Sequence, residues 1–405
     1  MSIDLFYGQN SSLRFELPLQ ALLTHCAAPR GRPIDDVARA VSTALKEPLG
    51  YPPLAQAVVP DDRVVIAVGD GLPQPQVLVG TVVRALVDAG VTPADITLLG
   101  QVEGDVAHLA SQWPDARCLV HDPADRRQMA FLGRTSDQMQ IMLNRALVDA
   151  DVVVSIGCLR PTQTLGYNGP AGGLCPAFSD DPTQRRFRAF HCTESPRQHA
   201  ERAREKAAEI AWLLGARFSV QVVPGRGEEI LHVLAGDVAT VAERGQPQCD
   251  EAWQFDDLAP AGLVVVAVEG GAEQQTWDNV CLALGSAAEV TEPGGAIAIC
   301  SELATAPGEA LQMLAGADSL SEAVQAIRKS PPRDALAALQ LARALTDHHV
   351  YLLSRLPSRE VEELGMVAVS NPGEVTHLAR SRPSCLLLSG GPHVQTSRCC
   401  DKVTR

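Results

Sequence analysis

"RVVIAVGDG" (Arg63–Gly71) is the stretch whose reading decides the fold. Val64 to Val68 is an unbroken apolar run, too short for a helix and without the alternation of a strand that has one wet face. A run of this kind, rich in β-branched residues and closed by Gly-Asp-Gly, reads as a strand buried on both faces. The residues that follow agree with it. Gln76–Ala89 carries apolar side chains at helical spacing, and "DITLLG" (Asp95–Gly100) is a second buried strand. Strand, helix, strand at this spacing predicts a parallel unit, because parallel neighbours need a crossover of a dozen residues or more.

The same pattern extends in both directions. Upstream, "IDLFYG" (Ile3–Gly8) and "LRFELP" (Leu13–Pro18) read as strands joined by turn residues. Downstream come the strands "RCLVHD" (Arg117–Asp122) and "DVVVSIG" (Asp151–Gly157), with a helix expected over "QMQIMLNRALVDA" (Gln138–Ala150). A charged helix is expected over Ser195–Leu214, and the polar stretch Gln246–Pro260, with two prolines, reads as a boundary. A second α/β unit then starts at "GLVVVAVEGG" (Gly262–Gly271), continues through "GGAIAICSE" (Gly294–Glu302) and helices within Ala306–Ala344, and ends with "SCLLLSGG" (Ser384–Gly391). The expectation is an α/β fold of two domains, 1–250 and 251–405, with mainly parallel sheets and a small-molecule ligand in the cleft between them. Residues 391–405 are expected as a tail, either packing back or disordered.

Composition narrows the function. A chain of 405 residues is long for a single core. Its formal charge of −14 argues against nucleic acid, whose phosphates demand clustered Lys and Arg. The one basic cluster, "TQRRFRAFH" (Thr183–His191), reads as a solvated surface loop. No window approaches the ~18 apolar residues of a membrane span, and the first residues lack a signal-peptide pattern, so the cytoplasm is the expected compartment. Eleven cysteines without a CxxC pair suggest neither zinc nor a redox dithiol. Several lie in strand-like runs, where a thiol acts as a small hydrophobe.

Ligands of such sheets bind beyond the carboxyl ends of the strands. That directs attention to "VGDG" (Val68–Gly71), "GQVEG" (Gly100–Gly104), "LRPTQTLGYNGPAGGLCPAF" (Leu159–Phe178) and "EGGAEQ" (Glu269–Gln274). Asp70 either orients a ribose hydroxyl or an ammonium, or caps the helix after it, with capping favoured. His121 and Asp122 are adjacent on a strand and point to opposite faces, which favours a structural His121. Cys175 lacks an assignable activating histidine, and no GxSxG elbow follows a strand. On spacing alone, His191 is a satisfied or surface histidine.

The order of these segments, "DRVVIAVGD" (Asp62–Asp70), "DADVVVSIGCLRP" (Asp149–Pro161), the glycine stretch, "GEEILHVLAGD" (Gly227–Asp237), then "GGAIAICSE" and "CLLLSGG", resembles the nickel-dependent lactate racemase family. The resemblance implies a nickel pincer nucleotide tethered to a lysine, two histidines that exchange the substrate's C2 proton, and a third histidine on nickel. Carried over residue by residue, it mostly records departures. The first proton-transfer histidine falls on Thr162 and the tethering lysine on Gly172. The turn of the second histidine falls on Gly100–Glu103, and the Asp-x-x-Arg turn falls on Asp70–Pro73, which keeps the acid without the arginine. The second-domain Gln and Lys fall on Asn279 and Leu282. Asp70, Gly166, Gly169 and Gly172 remain as candidate cofactor-binding positions, and His191 as the candidate nickel ligand. Tyr167, Glu103 and Arg160 are candidates to fill the vacated space. The expected function is that of a lactate-racemase-like protein whose chemistry is lost or altered. The alternatives are a racemase or epimerase of another 2-hydroxy acid with a non-covalently held cofactor, and a nucleotide- or metabolite-binding α/β protein.

Overall fold

The computed structural model describes residues 2–16, 21–162, 168–189 and 196–399. Its contacts divide the chain into two units, Gly31–Ala252 and a second made of Met1–Arg30 with Trp253–Arg405. The first thirty residues therefore group with the end of the chain, unlike in the 1–250 domain expected from sequence. They form an antiparallel pair, β1 (Ser2–Tyr7) and β2 (Ser11–Glu16), and β3 (Leu22–Cys26), an edge strand of the C-terminal sheet.

The Gly31–Ala252 unit contains α1 (Val37–Lys46), β4 (Val64–Val68), α2 (Pro75–Asp88), β5 (Ile96–Gly100), α3 (Glu103–Gln112) and β6 (Arg117–Val120). It continues with β7 (Met129–Arg134), β8 (Gln140–Asn144), α4 (Arg145–Val148), β9 (Val152–Cys158), α5 (Asp181–Ala189), α6 (Pro196–Leu213), β10 (Phe218–Pro224), β11 (Ile230–Asp237) and α7 (Val238–Trp253), whose last residue belongs to the other unit. The sheet order is β11-β10-β9-β4-β5-β6, parallel except for the antiparallel β10–β11 pair. All five residues of β4 are buried, as its continuous apolar run predicts. Val64, Ile66 and Val68 face a core that includes residues of α1 and α2. Val65 and Ala67 face another, with Leu99, Val153, Ala211 and, from the glycine-rich stretch, Leu174 and Phe178.

One expectation fails here. Most of Gln138–Ala150 is not helical: β7 and β8 form an antiparallel hairpin, and only Arg145–Val148 is helix. The reason lies in period two, since Ile141 and Leu143 are buried on one face while Gln140 is exposed. The stretch Gln246–Pro260, expected as a boundary, contains the division between the two units, which falls between Ala252 and Trp253. It is the last half of α7, which tolerates Pro247, followed by β12 (Gln254–Leu258).

The remaining elements are β13 (Ala261–Ala267), α8 (Trp277–Glu289), β14 (Thr291–Cys300), α9 (Glu309–Ala315), α10 (Leu320–Lys329), α11 (Ala335–Asp347), β15 (His349–Leu353), α12 (Ser358–Glu363), β16 (Val367–Val369), α13 (Pro372–Ser381), β17 (Cys385–Leu388) and β18 (Gln395–Arg398). Their sheet, β16-β15-β14-β13-β17-β3, is parallel throughout. Within the expected tail, β18 pairs with β12, while Cys400–Arg405 lies outside the described residues. No described helix is long and apolar enough to cross a membrane.

Candidate functional site

In the Gly31–Ala252 sheet, the connection after β4 leads to β5 on one side, whereas β9 lies on the other. The gap outside the carboxyl ends of β4 and β9 is the topological switch point, where chain connections diverge and leave a crevice. A cavity of about 320 Å³ lies there, and all of its lining residues belong to this unit. Asp70, Thr162, Gly169 and Gly172 all line it, together with Gln101, Arg160 and Gln221. Gly166 and His191 lie outside the described residues. A larger hollow, about 1060 Å³, is lined by α1, β11 and α7 residues and brings none of these positions together.

Backbone shape explains how the cavity forms. Gly69 donates from its backbone to the Ile156 carbonyl at 2.8 Å, which binds the end of β4 to β9. Gly71 then adopts φ +57°, a left-handed conformation that suits glycine, and a Cβ there would meet the Arg160 guanidinium at 3.0 Å. Arg160 exchanges backbone hydrogen bonds with Asn168 on the far side of the loop. The stretch from Ala171 to Phe178 packs by Leu174, Cys175 and Phe178, all fully buried. A buried anchor thus holds a glycine-lined rim.

Asp70 does not cap α2. The cap position is Gln74, in a left-handed conformation and without a side-chain cap, and its backbone N–H donates to the Glu228 carboxylate. Asp70 instead stands 3.9 Å from the Arg160 guanidinium, its side chain 61% exposed while that of Arg160 is 18% exposed. The sequence pattern favoured a cap because Gly-Asp-Gly precedes the helix; the intervening Leu72-Pro73-Gln74 turn moves the carboxylate away from the helix start.

Gln221 was not legible as a site residue. It sits in β10, paired in register with Gly157 of β9, and is 1% exposed. Its Nε2 donates to Ser219 Oγ at 2.9 Å, and Ser219 Oγ in turn donates to the Ser155 carbonyl. That chain of donors orients the amide and leaves Oε1 without a hydrogen-bond partner. Gly157 is what gives it room, since a Cβ there would lie 3.2 Å from Oε1. A glutamine inside an apolar strand opposite a glycine is the only signal the sequence carried.

The other candidates have structural occupations. His121 is buried, donates from Nε2 to the Ser179 carbonyl at 3.0 Å, accepts at Nδ1 from Asn144 Nδ2 at 3.1 Å, and packs edge-on against Phe178. Burial holds its pKa below the usual histidine range. Burial pushes the Cys158 thiol up to about 11 and the Cys175 thiol higher still, so neither is a ready nucleophile near neutral pH. Glu103 begins α3 and is exposed. Asn279 donates from its side chain to the Gln274 carbonyl at 2.7 Å, which makes it part of the α8 cap.

A lysine-tethered cofactor does not fit these residues. Gly172 has no amine to carry a thioamide, and the described lining contains neither lysine nor histidine. Among the described residues, no group of three or more His, Cys, Asp or Glu could hold a metal ion.

Residues 7–201 match the family model described as the lactate racemase N-terminal domain. Among solved structures, the chain is similar to the lactate racemase apoprotein from Thermoanaerobacterium thermosaccharolyticum, with a TM-score of 0.81 at 18% identity, over 98% of this chain and 100% of that one. It is also similar to a crystal structure of a Thermotoga maritima protein, with a TM-score of 0.66 at 13% identity, over 90% of this chain and 99% of that one. Curated proteins give no match. At these identities the structural likeness is one of fold.

Proposed function

We propose that this chain, a lactate-racemase-like protein, holds a small molecule in the switch-point cavity without the tethered-cofactor racemisation chemistry of its family. The observation that carries the reading is that Thr162 and Gly172 both line the cavity. Where the resemblance implies a proton-transferring histidine there is a hydroxyl, whose pKa is too high to relay a proton near neutral pH. Where it implies the cofactor-bearing lysine there is no side chain. General acid–base catalysis contributes on the order of 100- to 10,000-fold per group, so the loss of both proton-transfer histidines leaves little of that reaction. What remains is a preformed concave site with a few convergent polar groups, the ordinary form of a ligand site.

The test is to supply the purified full-length protein with nickel pincer nucleotide, then follow L- to D-lactate conversion by chiral chromatography and bound nickel by elemental analysis. The expected result is no conversion above background and no covalent adduct in the intact mass. Robust turnover overturns the reading. Nickel and nucleotide bound without an adduct, together with turnover of a different 2-hydroxy acid, would establish the racemase alternative with a non-covalent cofactor.

A further inference from the structure

We propose that the ligand of the switch-point cavity is a free 2-amino acid, with Arg160 taking its carboxylate and with Gln221 Oε1 and Asp70 taking its ammonium. This rests on the reading of the cavity as a ligand site and names the class of molecule that fits it.

Three observations converge on one end of the sheet. Gln221 is 1% exposed, and its Oε1 has no partner. A buried acceptor left empty is costly, so the group calls for an N–H or O–H from outside the protein. The surrounding hydrogen bonds set the amide's orientation. Ser219 Oγ gives its proton to the Ser155 carbonyl at 3.3 Å, and Gln221 presents Nε2 to Ser219 and Oε1 to the cavity. Next, the Arg160 side chain is 18% exposed, and its one ion pair among the described residues is the long 3.9 Å contact to Asp70. A guanidinium this enclosed, at the cavity edge and aligned on Gly71, is well placed to grip a planar carboxylate. Finally, Asp70 and Arg160 are the only oppositely charged side chains of the described lining, and they sum to zero.

That balance discriminates among ligands. A plain anion satisfies Arg160 but stands beside the Asp70 carboxylate. A plain amine satisfies Asp70 and Gln221 but stands beside Arg160. A 2-hydroxy acid offers Gln221 a donor yet leaves Asp70 facing a net negative molecule. A zwitterion meets all three groups with matching charge, and each of the other classes sets a like charge beside Asp70 or Arg160. A cavity of about 320 Å³ also leaves space beyond the backbone atoms of an amino acid for a side chain.

The experiment is calorimetric titration of the full-length protein with the twenty L-amino acids. For each that binds, the panel adds its 2-hydroxy acid and its decarboxylated amine, with L-lactate and AMP as reference ligands. At least one amino acid is expected to bind, at least tenfold more tightly than its hydroxy acid or its amine. Arg160→Gln and Gln221→Leu are each expected to weaken that binding by about ten- to a hundredfold, the loss of a hydrogen bond to a charged group. Gln221→Met stands in if the leucine variant does not fold, as judged by circular dichroism. Equal binding of the hydroxy acid, or variants that bind as the parent does, overturns the proposal. Binding of L-lactate or AMP with no amino acid bound overturns it too, while leaving the ligand-site reading intact. No binding by any member of the panel defeats both.

Discussion

Each of the two six-stranded sheets has a buried glutamine near the carboxyl ends of its strands, Gln221 within a strand and Gln275 in a loop, and the two are used in opposite ways. Gln275, 5% exposed, is fully engaged. Its Nε2 donates to the carbonyls of Val268 and Gly270, and its Oε1 accepts from Ser301 Oγ at 2.7 Å and from the Glu302 backbone at 2.8 Å. It stitches the loop after β13 to the loop after β14. Gln221 makes one hydrogen bond and keeps its acceptor empty beside a cavity. The same side chain closes one sheet end and leaves the other open. What differs is the neighbour: Ser301 and the Glu302 N–H complete the first amide, whereas Gly157 offers the second only space. A buried polar group that is complete marks architecture, and one left incomplete beside a cavity calls for a partner from that cavity.

The largest way to break this comparison is to remove the complete amide. Gln275→Leu strands the Ser301 hydroxyl proton, the Glu302 N–H and the Gly270 carbonyl, while the Val268 carbonyl keeps its bond from the Gly8 N–H. It should destabilise its unit by about 2–4 kcal/mol in a urea or guanidinium unfolding series. A loss under about 0.5 kcal/mol would mean that the bonds are easily replaced and that the contrast is empty. Next in size is Gly157→Ala, whose new Cβ would crowd Gln221 Oε1 at 3.2 Å and force the amide aside. Overpacking of this kind should cost about 1–2 kcal/mol in the same measurement and reduce ligand binding.

Gln221→Leu should change stability by less than about 1 kcal/mol, in either direction. It gives up one hydrogen bond but also removes an unsatisfied buried acceptor of similar volume. A loss as large as that of Gln275→Leu would show that Gln221 is structural after all.

Lys206 sharpens the contrast from a third, charged case. It is 8% exposed and doubly paired, donating to Asp137 at 2.8 Å and Glu209 at 3.0 Å. The Lys206 hydrogen bond, with help from Thr135, holds the Asp137 carboxyl at about 2, below its ordinary 3.8. The folded state therefore binds fewer protons than the unfolded chain in that window. The stabilisation is complete above about pH 4 and is lost as pH falls toward 2. Because the Asp137 side chain is 46% exposed, solvent screening keeps the effect below about 1 kcal/mol. Lys206→Met should flatten the acid limb of a stability-against-pH curve, and an unchanged limb would remove Asp137 as its source.

Much of the fold was legible because it rests on local pattern. Val64–Val68 could only be a strand covered on both faces, and a helix followed by Ile96–Gly100 made the sheet parallel. The miss at Gln138–Ala150 has a plain cause. Short apolar stretches satisfy periods of two and of 3.6 about equally well, and the antiparallel partner Met129–Arg134 decides between them. The return of the first thirty residues to the C-terminal sheet, through β3 on β17, depends on strand pairing far along the chain, which no local signal encodes.

The candidate site divides along the same line. The sequence alone determined the chemistry that is missing, since a threonine at 162 and a glycine at 172 hold no imidazole and no amine whatever their surroundings. It also determined the strand ends and glycines that open the backbone at Gly69, Gly71 and Gly157. Only the tertiary structure decided which groups share the opening. Arg160 reaches Asp70 from ninety positions along the chain, and Gln221 lies over Gly157 because β10 adds to β9 in one particular register. Charge pairing and unmet hydrogen bonds are properties of neighbours in space, and neighbours in space are set by the order of strands in the sheet.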